Sequence, residues 1–67
     1  MKLELVRTEE PDGKWFKILG AGGWPLKVLS FNDSNELAKR NEILEAFQEI
    51  QDRATSLKIV VLKSVEI

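Results

Sequence analysis

The chain has 67 residues, 43% of them hydrophobic, and ten basic side chains against eleven acidic ones give a net charge of −1. That length allows one domain, residues 1–67, small enough to bury only about 60% of its unfolded surface and therefore thin in stability margin. Cysteine and histidine are both absent, which removes disulfides, the usual zinc sites, Ser-His and Cys-His nucleophiles and imidazole acid–base catalysis.

Lys2 to Thr8 alternates, with Leu3 and Leu5 on one face and Lys2 and Glu4 on the other, as a half-buried strand does. Glu9-Glu10-Pro11-Asp12-Gly13 follows as a hairpin turn, opened by proline and closed by Asp-Gly. Lys14 to Leu19 is the second strand, with Phe16 and Ile18 on one face and Trp15, Lys17 and Leu19 on the other. Gly20-Ala21-Gly22-Gly23 breaks it. Trp24-Pro25 then leads into a third strand, Leu26 to Phe31, where Leu26 and Val28 alternate with Lys27, Leu29 and Phe31. Pro25 lacks a donor and belongs at a strand start or on an edge.

Asn32-Asp33-Ser34-Asn35 ends the sheet and starts the one long helical segment, predicted over Asp33 to Arg53. Leu37, Ile43, Leu44, Phe47, Ile50 and Ala54 recur at helical spacing and form a stripe centred on Phe47. Asp33 with Glu36 fits a capping box, and Ser34 is an equally good cap. Glu36 with Arg40 and Glu49 with Arg53 are favourable four-residue pairs. After a turn at Thr55-Ser56, Leu57 to Ile67 reads as a long final strand. Its middle, Ile59-Val60-Val61-Leu62, is apolar on both faces, which predicts a central position.

The fold class is α+β, in the order β-β-β-α-β. An antiparallel three-stranded meander packs against one long helix, and a final C-terminal strand runs parallel to the first or third strand or pairs with a second copy. No apolar run approaches a membrane span and no signal peptide is visible at the start, so the expectation is a cytoplasmic protein without membrane contact.

The glycine-rich stretch at 20–23 invites comparison with phosphate-binding loops. A P-loop needs Gly-Lys followed by Ser or Thr, and a dinucleotide fingerprint needs glycine where Pro25 stands. The chain also continues into a strand, so no helix N-terminus would meet the anion. The stretch is therefore a hairpin loop. Glu42, Glu45 and Glu49 form an acidic ridge whose exposure gives no reason for their pKa values to separate. Nothing here predicts an enzyme, a cofactor or a metal.

The β-β-β-α part resembles the YegP-like family of small bacterial domains of unknown function. The likeness is carried by Asp12-Gly13-Lys14-Trp15-Phe16-Lys17-Ile18-Leu19, then Gly23, Leu26 and Ser30-Phe31, then the helix. The glycine-rich loop and the long final strand depart from the pattern. The resemblance implies a fold and a tendency to dimerise, and no activity.

Function is then expected to lie in binding, as a homodimer or as a module for another protein. The candidate contact residues are Trp15, Lys17, Trp24, Lys27, Val60 and Leu62. Trp15 with Lys17 and Lys27 nearby could form a platform on the sheet face away from the helix. Such a platform could instead stack and neutralise a nucleic acid, the alternative function, although the charge balance lacks the usual basic excess. Trp24 is expected to close one end of the core.

Overall fold

The computed structural model describes residues 1–67. Its elements are β1 (Lys2–Glu10), β2 (Gly13–Leu19), β3 (Pro25–Phe31), α1 (Glu36–Ser56) and β4 (Leu62–Glu66). They form one four-stranded sheet in the order β3-β2-β1-β4, antiparallel from β3 to β1 and parallel between β1 and β4. The class is α+β, with α1 packed on the sheet. It lies chiefly on β2 and β3, and carries the chain from one edge of the sheet to the other.

Alternation sets the register. Leu5 stands beside Ile18 and Phe16 beside Leu29, so the apolar faces of the three antiparallel strands coincide. Leu3, Leu5, Phe16, Ile18, Phe31, Ile43 and Phe47 make the core. Phe16 and Phe31 stack with centroids 4.3 Å apart, and the Arg7 guanidinium caps that stack 5.0 Å from the Phe31 centroid. Arg7 also forks onto both carboxylate oxygens of Glu36 at 3.2 Å, tying β1 to the first turn of α1.

The helix starts later than the capping-box reading placed it. Asp33 accepts a 2.7 Å bond from Lys14 Nζ instead of capping. Asn32 Oδ1 accepts from the Ser34 and Asn35 backbone N–H groups, and Asn35 Oδ1 accepts from the Asn32 N–H. These reciprocal asparagine bonds close the turn before Glu36. The predicted Glu36–Arg40 and Glu49–Arg53 pairs are absent, because Glu36 is taken by Arg7 and Arg53 forms no ion pair. Leu37, counted in the apolar stripe, is 69% exposed, while Ile43, Phe47 and Ala54 are the helix's buried residues.

Two further differences shape the surface. The register shifts between Ile18 and Leu19, so that Leu19 stands opposite Pro25 and Leu26 is the extra residue of a β-bulge. Leu26 joins Ile50 and Ala54 of α1, while Val28 stays on the open face. The last strand is also shorter than predicted and lies at an edge, not in the centre. Leu57 to Ile59 are used to end the helix. Lys58 takes φ 59°, its N–H bonds the Thr55 carbonyl, and the Ile59 N–H bonds the Ala54 carbonyl. This is a Schellman motif with lysine at the position that usually holds glycine. The chain enters the ladder only where the Leu62 N–H meets the Met1 carbonyl.

Candidate functional site

The sheet face away from the helix is set by the register. Thr8 stands beside Trp15, Val6 beside Lys17 and Glu4 beside Leu19. Val28 continues this row on β3, and Ser64 beside Glu4 continues it on β4. A shallow groove of about 610 Å³ runs along β2. The Glu10–Asp12 turn and Trp15 border one end, and Gly23 and Pro25 of the glycine loop border the other. That loop is a hairpin connection. Gly22 and Gly23 hold φ 68° and 78°, where a side chain would be strained, and the Gly20 N–H bonds the Trp24 carbonyl at 2.7 Å.

Trp15 is half-buried. Its indole lies over Gly13, so close that a Cβ there would come within 3.0 Å of the ring. The Lys17 ammonium sits 5.7 Å from the indole centroid and 3.5 Å from a Glu10 carboxylate oxygen. Lys17 is thus held by its own neighbours. Lys27 does not join them: it stands beside Ile18, in the row of Phe16 and Leu29. The platform expected from Trp15, Lys17 and Lys27 therefore loses one of its cations to the other side of the sheet. On the open face Lys2 and Lys17 are accompanied by Glu4, Glu10, Asp12 and Glu66, an acidic excess.

Trp24 is 72% exposed in the glycine loop and does not close the core as expected. Val60 and Leu62 fall in a different place from Trp15, on the far side of β1. They belong to an apolar run that the helix leaves uncovered: Leu57 is 71% exposed, Val60 76% and Leu62 68%, and Ile59 and Val65 are also exposed. Next to it, Met1, Leu26, Ile50, Ala54, Leu57 and Ile59 line a second groove of about 450 Å³ with Arg53 as its one charged residue. Met1 and Leu26 are parts of this surface that sequence alternation missed. The bulge that turns Leu26 was signalled only by Pro25 at the strand start.

Three side chains have displaced pKa values. The bond from Lys14 lowers Asp33 below its ordinary range and raises Lys14 in turn. Hydrogen bonds to Glu36 and Glu9 raise Arg7. All three belong to ion pairs that join the sheet to the start of α1, and none faces either groove. No group of side chains has the composition of a metal site, and no helix is long and apolar enough to cross a membrane. No protein-family model matches the chain, and no match was found among curated proteins or solved structures.

Proposed function

We propose that this chain works by binding protein through its C-terminal segment, with a second copy of itself as the first partner. One observation carries the reading. Leu57, Ile59, Val60, Leu62 and Val65 are all exposed in a chain that buries only nine of its 67 residues. Leu62 lies on the open face beside Lys2 and Val65 on the helix side beside Leu5, so the exposed apolar side chains flank the β4 edge on both faces, and apolar surface in this amount on a small domain marks an interaction site. Covering one such side chain fully contributes about 1.5–3 kcal/mol, so a symmetric contact that hides several from each copy can offset the cost of association.

The test is mass in solution, by light scattering over a concentration series, on the wild type and on Val60→Asp and Leu62→Asp. A dimer at micromolar concentration is expected for the wild type. The variants, whose changed side chains contribute little to the monomer core, should stay monomeric with an unchanged circular dichroism spectrum. A wild type that is monomeric throughout would sink the reading. Single-stranded nucleic acid on the open face is the competing function. Lys17 already held by Glu10, and the acidic excess around it, weigh against it. Quenching of tryptophan fluorescence by a short oligonucleotide, lost as salt rises, would revive it.

A further inference from the structure

We propose that two copies join along the outer edge of β4, antiparallel and with Ser64 of each at the twofold axis, to form one continuous eight-stranded sheet. This rests on the reading of the C-terminal segment as the interaction surface and specifies its geometry.

The two edges of the sheet are not alike. On β3, Pro25 removes a donor and Leu26 bulges, which are devices that stop an edge from pairing. β4 has no proline and no bulge. The Leu62 N–H points inward to the Met1 carbonyl. Successive residues of a strand point their backbone groups to opposite sides, so Lys63 and Val65 present theirs outward. A partner strand is what those groups can take.

Charge and chain geometry choose the register. A twofold axis through the sheet keeps each residue on its own face, so an antiparallel pairing of β4 with itself must centre on a residue. Centring on Lys63 or on Glu66 places like charges opposite each other, which is unfavourable. Centring on Leu62 needs residues 58 to 61 extended along the partner, but Lys58 is left-handed and the Ile59 N–H is held by Ala54. Centring on Val65 pairs only Ser64 to Glu66 within the strand Leu62–Glu66. Ser64 is the midpoint of Leu62–Glu66, and centring there pairs the whole strand. Lys63 then lies opposite Val65 of the other copy, with its aliphatic stem over the valine and its ammonium in water. Val61 lies opposite Ile67, an apolar pair made twice. Both residues already pack against the edge of the core.

The chain has no cysteine, so single cysteines report the contact cleanly. Two Ser64 residues facing each other as a non-hydrogen-bonded pair would have Cα atoms about 4.5 Å apart, within the roughly 4.4–6.8 Å that a disulfide spans. Ser64→Cys, Leu62→Cys and, on the other edge, Ser30→Cys would be oxidised at micromolar concentration. The expected result is covalent dimer from Ser64→Cys at least about tenfold faster than from either of the others, since pairing raises the effective concentration of the thiols. Amide exchange on the wild type reads the same contact without a substitution: the Lys63 and Val65 amides should slow as concentration rises. A dimeric wild type in which Ser64→Cys is no faster than Ser30→Cys, and those amides exchange freely, overturns the edge pairing and leaves the dimer standing. Faster bridging through Leu62→Cys overturns the register. A wild type that is monomeric throughout overturns both this geometry and the reading beneath it.

Discussion

Lys58 is the only residue other than glycine with positive φ, at 59°. A left-handed conformation costs an L-residue roughly 1–2 kcal/mol that glycine escapes. Glycine also gives more freedom to the unfolded chain, which offsets part of the gain. Lys58 is exposed and forms no ion pair, so Lys58→Gly should stabilise the fold by about 0.5–1 kcal/mol, read as a higher urea midpoint with an unchanged slope. A second residue-scale prediction concerns acid. The Lys14 bond holds Asp33 below its ordinary pKa, so near that value the unfolded chain binds more protons than the folded one. Asp33 therefore contributes stability that is fully present above its unfolded pKa and is lost as pH falls through its folded pKa. Asp33→Asn should be less stable than wild type at neutral pH, and the two urea midpoints should converge below about pH 4. A gap that persists into acid would assign the effect to packing and not to the charge.

At the scale of elements, the start of α1 depends on Asn32. Its side-chain oxygen serves the Ser34 and Asn35 N–H groups and the Ser34 hydroxyl. Asn32→Ala removes the acceptor of two backbone bonds in the turn that precedes the helix and should cost about 1 kcal/mol, whereas Ser34→Ala, which loses only a hydroxyl bond, should cost much less. Thermal melts of the two variants compare them directly. The same turn shows which parts of the fold can be read in a sequence. Period-two alternation places Leu3, Leu5, Phe16 and Ile18 inside, and period-3.6 spacing places Ile43, Phe47 and Ala54 against them, because burial of these side chains dominates the energetics. That Asn35 takes the cap position, and not Asp33 or Ser34, was not legible. All three residue types are good caps, and Asp33 is claimed by Lys14, a distant residue, once β2 is in place. The end of the helix was hidden for a different reason. No glycine marks it, so the strand pattern of Leu57 to Ile67 reads as unbroken, and only the left-handed Lys58 shows that its first residues cap the helix. Of the candidate contact residues, Lys17 lies 5.7 Å from the Trp15 ring, and Val60 and Leu62 are each exposed. Lys27 was misplaced because the row it shares with Leu29 and Phe31 is the one that faces the helix, so it cannot stand beside Trp15 and Lys17.

At the scale of the whole molecule, the chain is flat and long. It measures 38 × 23 × 15 Å with a radius of gyration of 12.3 Å, against about 11 Å for a compact domain of its length. Its shortest dimension is that of one helix layered on one sheet, so the second face of the sheet and both its edges meet water. A domain of this size has little core to spare, and here much of its apolar surface lies outside that core. Association should then be part of its stability. If folding and pairing are linked, the melting temperature must rise with concentration by mass action. A tenfold increase is worth about 1.4 kcal/mol per dimer, or about 0.7 kcal/mol for each chain. That corresponds to about 3–5 °C for a domain of this length. Leu62→Asp should remove the concentration dependence, because the monomer's own contacts are unchanged, and should melt near the dilute limit of the wild type. Scanning calorimetry of both proteins over two decades of concentration measures this. Parallel slopes for wild type and variant would show that the pairing surface lies elsewhere on the chain. A wild type with no slope would show that the fold stands without a partner, and that its exposed C-terminal side chains are not part of what stabilises it.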